Sequence, residues 1–212
     1  MNILIFNESF YPSIGGVERF VDTLAGYLHN LGVGVSVITN TEPDPSQETE
    51  YPYVVYRRPA SNIIKELIAK SDIVHLNSFD PYIYCYSLLK RKKIVFTFHD
   101  LSPICPKSNK FKDGKPCVQN ARPVLCYKCL KQSGLNSKIK KLFRPIIKST
   151  LSILNSANVV LSRYQFDKFK LYNKCKISLG VDTELFKPRK KETSNDVSTV
   201  IFAGRLIKEK GC

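Results

Sequence analysis

The sequence predicts an α/β fold built on a doubly wound, mainly parallel β-sheet. Short apolar runs of strand length alternate with segments whose apolar residues recur every three or four positions, as in an amphipathic helix. The strand segments are apolar at nearly every position, which is typical of parallel strands buried on both faces. Right-handed crossovers then cover the sheet with helices and bring the ligand-binding loops to its carboxyl edge.

Seven strands are predicted for this sheet, over 2–7, 35–39, 53–56, 72–76, 93–98, 158–161 and 175–179. Helices are predicted between them, over 17–31, 63–69, 82–90, 139–154 and 165–171. Pro145 is expected to kink the fourth of these helices or to start a new one, because proline lacks the N–H that a helix interior needs. The polar, proline-bearing segment 41–50 is predicted to be a loop.

The chain is predicted to contain one domain and the beginning of another. Residues 1–187 form the sheet domain, within which 101–135 are an insert rich in cysteine, lysine and proline. Charged and polar residues 188–198 are predicted to be an interdomain linker. Residues 199–212 then supply a new strand (199–203) and a glycine turn, so we expect the second domain to be truncated.

The chain is strongly basic, with 33 Lys and Arg against 18 Asp and Glu among 212 residues and a net charge of +15. Such a balance attracts nucleic acid, anionic membranes or phosphorylated substrates, and its alternative is a solvated lysine-rich surface. No helix-turn-helix, zinc-finger or aromatic–basic RNA pattern is present, so we expect no nucleic-acid partner. No apolar run reaches membrane-span length and no signal peptide is apparent, which predicts a cytoplasmic protein.

Two loops at predicted strand ends carry candidate site residues. Gly15 and Gly16 stand directly before the first helix, whose free N–H groups suit a phosphate, a carboxylate or a sugar hydroxyl. The alternative is a tight turn without a ligand, because the pair does not form a G-x-G-x-x-G pattern. His99 follows the strand 93–98 and is placed to donate to a sugar hydroxyl or to transfer a proton. We expect His29 and His75 to be structural.

Five segments, in this order, carry a resemblance to a known family: YPSIGGVERFVDTLAGYLHNLG, DIVHLNS, FTFHDLSPICP, SLGVDTELFKP and FAGRLIKEKG. Together they resemble the family-four glycosyltransferases of GT-B fold, along essentially the whole chain. The resemblance implies two Rossmann-like domains that face a cleft. The N-terminal domain binds the acceptor, the C-terminal domain binds a nucleotide-sugar, and transfer retains the anomeric configuration, usually without a metal.

The resemblance also assigns roles to individual residues. Gly15 and Gly16 match the glycine loop that approaches the donor phosphates and the acceptor, and His99 matches the histidine that contacts the transferred sugar. Arg205 and Lys210 match the two cations that hold the donor diphosphate, where growing negative charge on the leaving group is stabilised. The family's pair of glutamates eight residues apart has no counterpart in these 212 residues, so we expect them to transfer no sugar alone.

The insert contains four cysteines, Cys105, Cys117, Cys126 and Cys129, with the spacing C-x11-C-x8-C-x2-C. This spacing allows a structural zinc site, for which three or four sulfurs must converge. Disulfides and free buried thiols are the alternatives. No cofactor is expected for catalysis.

The predicted helix 139–154 interleaves an apolar stripe with lysines and arginine. Such a helix can lie on an anionic membrane surface, which suits a lipid-linked acceptor. The interpretation that we favour instead is that the stripe covers its own sheet. The alternative to an enzyme is a catalytically inactive fragment, or a module that binds polyanions or a membrane surface.

Overall fold

The computed structural model of the chain describes residues 1–44, 50–119, 123–130, 134–184, 186–187, 200–204 and 206–211. The strands are β1 (Asn2–Asn7), β2 (Gly34–Thr39), β3 (Val54–Arg57), β4 (Ile73–Leu76), β5 (Lys93–Phe98), β6 (Phe111–Lys112), β7 (Lys115–Pro116), β8 (Ala157–Val160) and β9 (Lys174–Lys176). The α-helices are α1 (Gly16–Asn30), α2 (Ser61–Lys70), α3 (Pro81–Leu89), α4 (Pro123–Cys129), α5 (Leu135–Leu151) and α6 (Arg163–Lys168). Single 3₁₀ turns cover Ser152–Leu154 and Lys208–Lys210.

Seven of the strands form one sheet in the order β3-β2-β1-β4-β5-β8-β9, and every neighbouring pair is parallel. The predicted seven-stranded parallel sheet is therefore confirmed. From β1 the chain builds outward through β2 to β3, then returns to the other side of β1 with β4. This reversal between β1 and β4 is the topological switch point at which open α/β sheets bind ligands.

The core lies on both faces of the sheet, as the uninterrupted apolar strands predicted. Alternate residues of β1 point to opposite faces, because side chains alternate along a strand. Leu4 and Phe6 belong to the larger buried cluster, which also contains Ile68 of α2. Ile3 and Ile5 belong to a second cluster with residues of α1.

The strand predicted over 199–203 is wrong for the described residues 200–203, which form no strand and are exposed. A strand needs a neighbour for its N–H and C=O groups, and no described segment pairs with these residues. The predicted linker, 188–198, lies outside the described residues. The boundary between two domains therefore stays a prediction.

The insert contains more regular structure than the sequence predicted, namely the short antiparallel pair β6–β7 and helix α4. Helix α5 runs continuously through Pro145, so no new helix starts there.

The interpretation that the α5 stripe covers its own sheet is wrong for much of its length. Ile139, Phe143 and Ile146 are each about half exposed, at 45%, 53% and 57%. Pro145 is buried in the middle of the helix, and at its end Leu151 packs against the larger cluster.

A buried polar network fixes the end of α5 against the sheet. Tyr84 of α3 is 1% exposed, and its hydroxyl lies 2.9 Å from both the Leu151 carbonyl oxygen and Asn155 Oδ1. Asn155 Nδ2 donates to Oδ1 of Asn158 in β8, whose own Nδ2 donates to the Ser152 carbonyl. Burial raises the pKa of Tyr84 to about 12, so the hydroxyl stays a donor. The network holds α3, the end of α5 and β8 together.

Replacing Tyr84 by Phe is expected to lower the free energy of unfolding by about 1–3 kcal/mol, because the one hydroxyl proton that two buried acceptors share is lost. Urea denaturation measures this change. Tyr82→Phe is the matched control, since that hydroxyl is exposed and lies 3.4 Å from its acceptor. It should change stability by less than about 0.5 kcal/mol. Equal effects of the two substitutions would contradict the role of the network.

Candidate functional site

An open cleft of about 1450 Å³, including the solvent at its mouth, lies at the carboxyl edge of the sheet. Its floor is formed where three adjacent strands end, by Asn7 of β1, Asn77 after β4 and His99 after β5. Glu18 in the first turn of α1 lines one side, and α5 lines another through residues that include Lys148. This is the edge at which the alternating pattern predicted a site.

His99 is held in the cleft by two neighbours. Its Nε2 lies 2.9 Å from Asn77 Oδ1, and its ring meets the edge of Phe20 with centroids 4.9 Å apart. Because an amide oxygen can only accept, this orientation of Asn77 assigns the proton to Nε2 and leaves Nδ1 as the acceptor of the ring. Asn77 is itself 7% exposed, and its Nδ2 has no hydrogen-bond partner among the described residues.

The environment of His99 keeps the imidazole neutral. Burial lowers its pKa to about 4, although the carboxylates of Asp100 and Glu18 act to raise it. Desolvation disfavours the charged ring, and here it outweighs the two nearby negative charges. A neutral ring at pH 7 can accept a hydrogen bond from a substrate hydroxyl without first losing a proton.

His75 lies deeper, within β4, where its Nε2 is 2.7 Å from Thr97 Oγ1 of β5. Burial, with a smaller contribution from His99, lowers the pKa of His75 to about 4. The residue joins two central strands and does not line the cleft, in keeping with the structural role that we expected.

The predicted glycine loop meets a carboxylate of the protein itself. Gly15 caps α1 and Gly16 is its first residue. A Cβ on Gly15 would overlap the Glu18 carboxylate where it now lies, so a larger residue at this position would make that flexible side chain move. Glu18 Oε1 also accepts from Ser9 Oγ at 2.5 Å. An acidic residue in the first turn stabilises the positive end of the helix, so Glu18 already provides a negative charge there.

The structure places the remaining predicted residues as follows. Val17 and Glu18 line the cleft next to the two glycines. Gly16 borders a second pocket, which α1 forms with Gly180 and its neighbours. Lys210 is exposed in the last 3₁₀ turn. It is not among the described residues that line the cleft. Arg205 lies outside the described residues.

The four cysteines of the insert share one small cavity of about 30 Å³. All four are half-buried, and none forms a disulfide with another described cysteine. Within the described part of the chain, no three Cys, His, Asp or Glu side chains are grouped closely enough to hold a metal ion. The arrangement as it stands does not fit a zinc ion, and the zinc site stays a prediction.

Sequence reasoning missed Asn77 and Lys148. The signal for Asn77 was available, because it follows a strand in the same way as His99. Lys148 was one of the basic residues interleaved with the apolar stripe and was expected to lie in water. Its position in the cleft depends on tertiary contacts, such as the hydrogen bond from its Nζ to Ser102 Oγ. No spacing rule gives that placement.

The geometry agrees with what comparison with known proteins shows. The family model for Glycosyltransferase Family 4 matches residues 14–184. An uncharacterized 42.6 kDa protein in the cps region of Klebsiella pneumoniae is 25% identical over 250 residues, which cover 100% of this chain and 63% of that protein. The chain thus spans less than two thirds of the length of this curated relative.

Two solved structures resemble the fold. Sucrose-phosphate synthase from Thermosynechococcus elongatus matches with a TM-score of 0.53 at 15% identity, over 89% of this chain and 50% of that chain. A glycosyltransferase from Rickettsia africae ESF-5 matches with a TM-score of 0.48 at 18% identity, over 86% and 44%. The first likeness shows a shared fold, in agreement with the GT-B resemblance. No helix within the described ranges has the length and apolar character to cross a bilayer.

Proposed function

We propose, since this chain belongs to glycosyltransferase family 4, that it is the acceptor-side part of an enzyme that transfers a sugar from a nucleotide-sugar to a glycan or lipid-linked acceptor. The observation that carries the proposal is His99, neutral and fixed by Asn77 at the base of a cleft at the carboxyl edge of the sheet. Reaction with retention of configuration is part of the proposal, as the family resemblance implies.

His99 has a defined task in this proposal. Its Nδ1 accepts a hydrogen bond from a hydroxyl of the transferred sugar, while Asn77 fixes the ring by binding Nε2. Positioning of this kind accelerates a reaction because the reacting groups no longer need to find their orientation. The ring bears no charge at pH 7, so it does not oppose positive charge that develops on the sugar in the transition state.

The donor diphosphate requires cations, which the proposal assigns to Arg205 and Lys210 in a second domain. Two cations in a closed cleft stabilise the leaving diphosphate increasingly as its negative charge grows. In open water the same charges are screened and contribute little. The partial coverage of the relatives supports the view that the donor side needs residues beyond these 212.

The proposal predicts no measurable transfer by residues 1–212 alone, and transfer once the chain is extended by a complete donor domain. In the extended enzyme, His99→Ala should lower kcat about a hundredfold or more, the scale of one lost polar catalytic group. Turnover with a panel of nucleotide-sugars measures both effects.

His29→Ala is the matched control for this experiment, because His29 is exposed in the last turn of α1 and should leave kcat unchanged. Robust transfer by the 212 residues would place the donor site within them and contradict the assignment of Arg205 and Lys210. Equal losses in the two variants would contradict the role of His99.

A contact with the inner face of the cell membrane is a second part of the proposal, supported by the surface of α5. Ile139, Phe143 and Ile146 are spaced by four and three residues, so they form one exposed apolar stripe. Lysines stand beside this stripe, and the chain as a whole carries +15. An apolar stripe flanked by cations complements an anionic bilayer, whose headgroups attract the cations while its acyl chains accept the apolar residues.

Co-sedimentation with phosphatidylglycerol vesicles tests this contact. We expect binding that weakens about tenfold or more when the three stripe residues become serine, because each loses an apolar side chain. The control exchanges three exposed apolar residues elsewhere, Leu31, Leu89 and Ile177, for serine. Equal binding by both triple variants, or equal binding to neutral phosphatidylcholine vesicles, would contradict the proposed membrane contact.

A further inference from the structure

One wall of the cleft is cationic. Lys140, Arg144 and Lys148 all line it. They are spaced by four residues along α5, which places them on one face of the helix, beside the apolar stripe. The proposed handling of the transferred sugar by His99 does not use this cationic wall.

The cationic wall is costly to the isolated protein. Like charges four residues apart on a helix repel one another. None of the three cations forms an ion pair with a carboxylate in the described part of the chain. Lys148 is also largely desolvated, which lowers its pKa, while Asp100 acts to raise it and Arg144 to lower it further. Proteins keep such arrangements mainly where a ligand offsets the cost.

Neutral groups hold two of the cations in position. Lys148 Nζ donates to Ser102 Oγ at 2.6 Å and lies 5.5 Å and 5.7 Å from the ring centroids of Phe96 and Phe98. Arg144 Nη1 donates to Ser108 Oγ at 3.1 Å. A lysine has three donors and an arginine five, so donors remain for a further acceptor.

Of the three carboxylates that line the cleft, two accept hydrogen bonds from other groups of the protein. Glu18 is engaged by Ser9 Oγ at the start of α1, and Asp100 Oδ1 accepts from the Ser102 backbone N–H at 2.9 Å. Glu8 belongs to the loop after β1. The cleft therefore has Glu8 and Glu18 near β1 and α1 and cations on α5, where the Asp100 carboxylate balances part of the positive charge. A ligand with a neutral hydroxyl part and an anionic end matches this polarity.

We infer that the acceptor of this enzyme carries a phosphate monoester, and that the cationic wall binds it. The inference rests on the proposed function and adds the chemical class of the acceptor. Arginine offers a planar fork for two phosphate oxygens, and the two lysines offer mobile point charges. The acceptor hydroxyl then points from α5 toward the floor of the cleft, where His99 positions the transferred sugar.

The phosphate is assigned to the acceptor because the proposed function already provides for the donor. In the proposed function, Arg205 and Lys210 hold the diphosphate of the donor. Lys210 is absent from the cleft lining that the structure describes. The wall belongs to the sheet domain, which is the acceptor side in that proposal. A phosphate on α5 and a diphosphate on the second domain use separate cations.

The test is isothermal titration of the 212-residue chain with four probes: glucose 1-phosphate, geranyl phosphate, UDP and unphosphorylated glucose. We expect both phosphomonoesters to bind and glucose not to bind detectably. The double variant Lys140→Gln, Arg144→Gln should weaken phosphomonoester binding about tenfold or more, the scale of lost charge-assisted hydrogen bonds. The tighter of the two monoesters shows whether a soluble or a lipid-linked phosphate is preferred.

The control is the double variant Lys65→Gln, Lys93→Gln, which removes the same charge from positions outside the cleft lining. A third variant, Lys148→Met, is included with a check of folding by circular dichroism, since Lys148 is packed against the Phe96 and Phe98 rings. Equal weakening in the wall and control doubles would show nonspecific charge attraction and overturn the inference. If neither of the two monoesters binds, the inference is also overturned.

Binding of UDP through the wall more tightly than either monoester would assign the cations to the donor and overturn the inference as well. These outcomes are separate from those of the proposed function, because binding by the 212 residues does not require turnover. Loss of binding in the wall variant together with no transfer by the extended enzyme would support the phosphate site while contradicting the proposed function. Transfer by the extended enzyme that uses phosphorylated and unphosphorylated acceptors equally would support the proposed function while contradicting the phosphate site.

Discussion

The candidate site depends on the parallel pairing of β1, β4 and β5. Phe6 of β1 is in register with Leu76 of β4, which is in register with Phe96 of β5. Because parallel strands end at the same edge, the residues at and just after these ends meet: Asn7, Asn77 and His99. The Asn77 backbone N–H donates to the Phe6 carbonyl at 2.9 Å, so the pairing continues one step beyond β4 and fixes the residue that holds His99.

Burial at this edge affects the two kinds of titratable group in different ways. His99 responds to the loss of water by remaining neutral, which is the state that accepts a hydroxyl proton in a hydrogen bond. Lys148 is disfavoured as a cation by the same loss of water, and the negative charge of Asp100 offsets part of that cost. A phosphate would offset more. The cleft thus combines a neutral hydrogen-bonding floor with a cationic wall that an anion would stabilise.

Most of the sheet could be predicted from the sequence, because strands buried on both faces have an apolar pattern that few other structures share. His99 could be located for the same reason, since a polar residue directly after such a strand must lie at its carboxyl edge. The position of α5 could not be predicted. Its stripe has the spacing of a helix that covers a sheet, yet Phe143 and Ile146 are exposed and the neighbouring cations face the cleft. That orientation is set by tertiary contacts at the helix end, through Leu151 and the Tyr84 network, which periodicity does not encode.

Asn77 and burial hold His99 as a neutral ring protonated on Nε2. Long-range ¹H–¹⁵N NMR of the histidine side chains measures this state directly, because protonated and unprotonated ring nitrogens have well-separated ¹⁵N shifts. The folded pKa lies below the ordinary value, so we expect His99 to keep the Nε2–H tautomer from pH 8 down to about pH 5 and to gain its second proton only near pH 4. In Asn77→Ala, the Nε2–H tautomer should no longer be held exclusively, and a fraction of the Nδ1–H tautomer should appear. An imidazolium at pH 6.5, or protonation on Nδ1 at pH 7, would contradict the claim.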